Sequence, residues 1–332
     1  MNKRFDKNPL RKWMKRIGLS LVVVLLIAAA CKEAVEDINP QLDQTQQSNA
    51  FSNGQEIGTV EFDGLDEASG LANSRSNPDF FWSHNDSGGD PTLFLLSRAG
   101  ADSGRYEFSG VQNRDWEDMA IGVGPDDNLT YLYAADIGDN FAQRESLSIY
   151  RTPEPDVSIR FRTINSGGSS RQVQIDLPAD TTLGNVETIN FVYEDGARDA
   201  ETLMVDPTTK DLYIVSKREA SVILYTLPFP QSTTEMDTAE RVSVLPFTMV
   251  TAGDISPNGN EILMKNYLNV YRWVKDGNQS IPEVLAQTPD RLAYNKEPQG
   301  EAIAWHSNGR DYFTISESAN DQPVVLFEYR RN

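Results

Sequence analysis

One cysteine, Cys31, stands among 332 residues, so no disulfide can form within a single copy and the folded part rests on its core alone. Histidine is almost as scarce. Only His84 and His306 could supply an imidazole as general base. Positive charge is also in deficit, with 30 Lys and Arg against 49 Asp and Glu and a net charge of −19. Such a surface repels phosphate backbones, which excludes nucleic acid as a partner, and draws in divalent cations or cationic ligands. Long hydrophobic runs are missing too. The apolar stretch Leu19 to Ala30 holds 12 residues, short of the roughly 20 that a spanning helix needs. No G-x-S-x-G elbow, H-E-x-x-H pair or phosphate loop ending in Gly-Lys-Ser/Thr occurs, which removes the basis for a serine hydrolase, a zincin or an NTPase.

What the N-terminus does have is seven basic residues, from Lys3 to Arg16, ahead of that short apolar run, which is the pattern of a signal peptide over residues 1–30. The run leads through Ala28, Ala29 and Ala30 into Cys31. Leu-Ile-Ala-Ala-Ala-Cys resembles the lipobox of bacterial lipoproteins, with Ala28 where that motif usually has Leu. The resemblance implies cleavage before Cys31 and attachment of palmitate-type acyl chains to it. Without residues 1–30 the chain carries 23 basic and 48 acidic side chains, a net charge of −25. Residues 31–54, polar and rich in Gln, Asn and Ser, read as a flexible lipidated tether.

From residue 55 to 332 the pattern becomes short runs of β-branched and aromatic residues, broken every 8 to 12 residues by Gly, Pro, Asn or Asp. Five strand starts resemble one another: EASGLA, DWEDMA, DAETLM, AGDISP and GEAIAW, each followed by an aromatic or aliphatic partner strand such as FFWSHND or DLYIVSK. The fold expected is all-β, a single β-propeller with five or six blades of four antiparallel strands. Taking Glu67, Glu117, Glu201, Asp254 and Glu301 as equivalent, the spacings are 50, 84, 53 and 47 residues. The long second interval holds either a degenerate blade around 155–190 or an insertion. Ile57 to Phe62 and Val324 to Tyr329 are the strands expected to close the ring.

In a propeller the innermost strands converge on a channel, so those five acids should form a carboxylate ring suited to a hard, oxygen-seeking cation such as Ca²⁺. A second layer would come from Asn85, Asp86, Asp136, Lys217, Asn266 and Glu317, with Asp118 beside Glu117. Lys217 could instead turn the ring into an internal salt-bridge network. The loops 82–90 and 136–144 add Asp139 and Asn140 at strand exits. His84, in Trp-Ser-His-Asn-Asp, is the one catalytic candidate, expected at the channel mouth.

The motifs DWEDMA, YAADIGDN, IYRTPEP, DAETLMVDP, LYIVSKR and PQGEAIA resemble those of a family of uncharacterised secreted bacterial β-propeller lipoproteins over about residues 65–330. More distantly, the chain is similar to SdiA-regulated-type and phytase-like propellers, which implies a cation site rather than a reaction. The cluster of several Lys and Arg that a phytase requires has no counterpart here beyond Lys217 and Arg218. Three functions fit: a binding module with a calcium-loaded channel, a calcium-dependent hydrolase of an ester, lactone or phosphoester, and a metal-free scaffold. The expectation is a monomer in the cell envelope, held to a membrane by its lipid. Lys32 in place of an Asp after the cysteine favours the outer membrane. Its partner is an unspecified protein or small molecule.

Overall fold

The computed structural model describes residues 45–332 apart from 62–63, 158–159, 167–168, 176–179 and 319–322, and gives only the backbone of 160–175 and 180. Residues 1–30, expected as a signal peptide, and Cys31 lie outside the described residues.

The first strand, β1 (Gln55–Thr59), belongs to the last sheet. Blade 1 runs outward through β2 (Ala68–Asn73), β3 (Phe80–Asn85), β4 (Thr92–Ser97) and β5 (Asp102–Phe108). Blade 2 begins with β6 (Trp116–Gly122), β7 (Tyr131–Asp136) and β8 (Leu147–Pro153). The chain then makes a separate hairpin, β9 (Arg160–Ser166) with β10 (Ser169–Ile175). It adds β11 (Asp180–Leu183) in parallel to β5 and returns as β12 (Glu187–Tyr193) to complete blade 2 beside β8. Blade 3 is β13 (Ala200–Val205), β14 (Leu212–Ser216), β15 (Ile223–Leu227) and β16 (Asp237–Val244). Blade 4 is β17 (Val250–Ile255), β18 (Glu261–Asn266), β19 (Val270–Val274) and β20 (Asp290–Leu292), with the short helix α1 (Ile281–Leu285) before its last strand. Blade 5 is β21 (Gly300–Trp305), β22 (Tyr312–Ser316), β23 (Val325–Tyr329) and, outermost, β1.

The innermost strands neighbour one another in the circular order β2, β6, β13, β17, β21 and back to β2. The described residues therefore form five blades, and the long interval of the sequence is an insertion that holds the hairpin β9–β10 and β11 before β12 returns as the outer strand of blade 2. The joining of β1 to β23 closes the ring by pairing the two ends of the domain.

Burial explains the strand compositions. Inner strands such as AETLMV and GEAIAW are buried at every residue, because a blade covers each face, whereas the outer strand DSGRYEF alternates between exposed and buried. Apolar side chains meet between blades rather than on the axis: Trp82, Leu95 and Phe108 with Trp116 and Met119 between blades 1 and 2, and Tyr133 and Ile149 with Leu203 and Tyr225 between blades 2 and 3. The axis is left to polar groups.

Residues 45–54, expected as the end of a flexible tether, instead pack against the propeller. Gln47 bridges Arg291 of blade 4, and Phe51, 3% exposed, is buried against Trp305 and Tyr312 of blade 5. Residues 45–54 thus strap the outer edge of blade 4 to blade 5. The reason is local to Phe51: a lone aromatic in a polar stretch, it gains an aromatic pocket and the guanidinium of Arg331 4.6 Å from its ring centre.

Candidate metal centre

Each inner strand carries one bulged residue near its start, skipped in pairing with the second strand: Ser69, Glu117, Glu201, Thr251 and Glu301. These are the equivalent positions around the axis. Two residues earlier stand Glu67, Asp115, Asp199, Met249 and Gln299, and just beyond the second strand's paired residue stand Asp86, Ile137, Lys217, Tyr267 and Glu317. A bulge leaves its residue outside the ladder and re-aims the side chain, which is how a strand buried on both faces can present a carboxylate to the channel.

Three acids of the expected ring, Glu117, Glu201 and Glu301, line one cavity of about 180 Å³ at this end of the axis, with Ser69, Asp86, Lys217, Tyr267 and Glu317. Asn140, Arg218 and Gln299 complete its wall. The other two acids do not join them. Glu67 is exposed before β2, and Asp254 lies three residues beyond the bulge of β17, where its Oδ2 accepts the Trp305 N–H at 2.7 Å. Asp118 is also structural: fully buried, it accepts the N–H groups of Met119 at 2.8 Å and, on the neighbouring inner strand β13, Leu203 at 2.9 Å. Both satisfy donors along the inner edges of the blades, which would otherwise be left unpaired.

Among the remaining expected residues, Asp86, Asn140, Lys217 and Glu317 reach the cavity, and the others serve as local fasteners. Asn85 donates to the Gly64 carbonyl at 2.5 Å, Asn266 accepts the Leu268 and Asn269 N–H groups, and Asp136 pairs with Arg144 at 2.6 Å. Asp139 accepts the N–H groups of Gln143 and Arg144, fixing the 138–144 loop. His84 is not at the channel mouth. It is wholly buried, edge-on to Trp116, with Nδ1 against the Asn85 carbonyl at 2.9 Å. Burial lowers its pKa to about 4, so it is neutral at pH 7, and Gly70 is required opposite it, where a Cβ would come 2.3 Å from Nε2.

Asp115 and Asp199 were missed by the sequence reading. Together with the cavity acids they form two groups whose ligand atoms all lie within 4.8 Å of one another: Asp86, Asp115 and Glu117, and Glu117, Asp199 and Glu201. The signal was the D-x-E spacing shared by DWEDMA and DAETLM, which the alignment of the five copies on a single acid obscured. These buried clusters could hold a metal ion.

The two groups differ in what already compensates them. In the second, Lys217 pairs with Glu201, Arg218 pairs with Asp199, and the Asp139 N–H donates to Asp199 at 2.8 Å. In the first, no hydrogen bond or salt bridge from a described residue reaches the carboxylates of Asp86, Asp115 or Glu117, and Asp86 Oδ1 is a buried atom without a partner. Burial, then repulsion from neighbouring acids, raises all three pKa values, Asp86 to about 7 and Glu117 well above the usual carboxylate range, against the pull of Lys217 on Asp86 and Glu117 and of Arg144 on Asp115. Burial and the nearby Glu301 raise Glu317 to about 8. The donor set is all hard oxygen, as Ca²⁺ or another hard divalent ion prefers.

Asp254 offers a clean pH test away from the cavity. Burial raises its pKa from 3.8 to about 7, against the pull of Arg75. Its proton is held more tightly in the folded than in the unfolded chain, so this contribution to stability is complete below pH 4 and is lost as pH rises through 7. Asp254→Asn keeps an oxygen for the Trp305 N–H and removes the titration. In denaturant titrations at pH 4 and pH 8, the variant is expected to gain roughly 2–3 kcal/mol on wild type between the two, the loss of Arg75's partner being included. Parallel pH curves for the two proteins would refute this.

No model of a known protein family matches the chain, and no curated protein matches it either.

Proposed function

We propose that this protein is a lipoprotein of the cell envelope, outer membrane favoured, whose propeller is a binding module with calcium held in the acidic mouth of its channel. One observation carries the cation reading. Glu117 is 5% exposed, faces the cavity and belongs to both carboxylate groups, and its carboxylate receives no hydrogen bond or salt bridge from any described residue. A buried carboxylate in that state is costly unless a proton or a cation neutralises it, and a divalent ion neutralises several at once. Asp86, Asp115 and Glu117 would hold the ion, and the cavity leaves its remaining coordination positions open to water or to oxygen atoms of a ligand. A hydrolase would need a base near that ion, and the enclosure of His84 between blades removes the imidazole from that role.

Calorimetric titration of the full-length chain with Ca²⁺, beside thermal melting, tests this. Ion at 100 times its dissociation constant should stabilise the native state by about 2.7 kcal/mol. Glu117→Gln is expected to abolish both the binding heat and the calcium-dependent rise in melting temperature, while melting higher than wild type without calcium because one buried charge is gone. Absence of a calcium effect on wild type would sink the reading.

The anchor is a separate matter, supported by the lipobox-like sequence alone. Radiolabelled palmitate fed to expressing cells should label the wild-type protein and not Cys31→Ser, and the variant should leave the membrane fraction. Equal labelling of both would refute lipidation at Cys31.

A further inference from the structure

We infer that the cavity takes one divalent cation, at Asp86, Asp115 and Glu117, because Lys217 and Arg218 already occupy the adjoining carboxylate group as built-in counter-charges. The inference rests on the cation reading above and goes further, to stoichiometry, placement and a latent second site.

The argument is one of unequal compensation. The two groups share Glu117 and have the same size and chemistry, so distance alone would allow an ion in either. Their surroundings separate them. Lys217 Nζ is paired with Glu201 and lies 5.6 Å from the ring centre of Tyr267, whose hydroxyl in turn donates to Glu301 at 2.8 Å. The ammonium is thus held by a carboxylate and an aromatic face, with its side chain only 8% exposed. Arg218 spans from Asp199 to Asn140 on the cavity rim. An ion entering the Asp199 and Glu201 side would have to displace two basic groups and leave a buried ammonium without its partner. An ion entering the Asp86 and Asp115 side displaces only protons or water. Shared use of Glu117 adds to this. Once its carboxylate is drawn to the first ion, the second group retains only two acids, each with its own basic partner.

Lys217 therefore acts as a tethered occupant of a second cation position, and its removal should open that position. The test is the stoichiometry of Ca²⁺ bound to the full-length chain, read by calorimetry and by native mass spectrometry. Wild type and Lys217→Arg are expected to bind one ion, Asp86→Asn to bind it on the order of 100-fold more weakly, and Lys217→Met to bind two. Lys217→Met leaves Glu201 without its partner, so calcium should restore part of that variant's lost melting temperature. Lys217→Met/Glu201→Gln, with neutrality regained, should return to one ion without needing that rescue. Two ions in wild type, or a single ion in folded Lys217→Met, would overturn the inference and leave the cation site standing. Retention of the ion in Asp86→Asn with its loss in Asp199→Asn would overturn the placement. No ion in wild type would overturn the cation reading itself, and this inference with it.

Discussion

Replacing Gly138 with alanine is expected to leave the propeller folded and to cost the cavity its calcium. The backbone of the 138–144 loop runs directly against the carboxylates: the Gly138 N–H donates to the Asp115 carbonyl at 3.1 Å, and a Cβ at this position would fall 2.1 Å from Glu117 Oε1 and 2.4 Å from Asp115 Oδ2. No real structure tolerates such distances, so something must move. What moves is the far end of two flexible acid side chains, which is cheap for folding and ruinous for a site needing both oxygens in place. Calcium affinity should fall on the order of 100-fold, comparable to losing a supporting contact of a metal ligand at the upper end of what such changes cost. Stability without the ion should change by less than about 1 kcal/mol, within the usual range for a non-disruptive change. Gly184→Ala is the matched control, since a Cβ there meets nothing within 4 Å. Wild-type calcium affinity in Gly138→Ala would mean that the ion does not sit among Asp115 and Glu117.

The second large effect is expected at the strap. Phe51 is edge-on to Tyr312 with ring centres 4.9 Å apart and lies 6.1 Å from Trp305, while Arg272 and Arg331 flank its ring. Truncation to alanine removes a buried ring from a pocket whose walls belong to strands and cannot collapse onto the gap. Phe→Ala changes of that kind cost about 3–5 kcal/mol. In a domain of this size the melting temperature should drop on the order of 10 °C. Deleting residues 1–54 should destabilise as much or more, because it also removes the backbone bonds from Ser48 to Arg291 and from Ser52 to Arg330. A full-length Phe51→Ala protein that melts with wild type would show that residues 45–54 behave as the free tether their composition suggests. Calcium binding should survive in the variant, since Phe51 packs at the Trp305 end of β21 and the cavity lies at the Glu301 end.

Blade architecture was legible because it is written in local alternation. Strands buried on both faces become runs of small and apolar residues, and outer strands alternate, whatever lies across from them. Glu117, Glu201, Glu301, Asp86, Lys217 and Glu317 could be picked out for the same reason, each sitting near a recognisable strand start. The placement of Glu67, Asp254 and His84 failed on register. One bulged residue per inner strand shifts which side chain meets the axis, and neither hydrophobicity nor spacing marks where the extra residue sits. The strap failed for a related reason, since a single Phe51 in a polar stretch carries no periodicity.

By itself, then, the sequence determined the class of fold, the repeat and the acidic character of the channel, all of which follow from residue types and their local order. Tertiary structure alone decided which acids meet and which of them are already compensated. Asp86 comes from blade 1, Asp115 and Glu117 from blade 2, and Asp199, Glu201, Lys217 and Arg218 from blade 3. Closing the ring brings these distant charges together, and the direct ion pairs that Lys217 and Arg218 make in one group, with none in the other, depend on distances that only the closed ring sets.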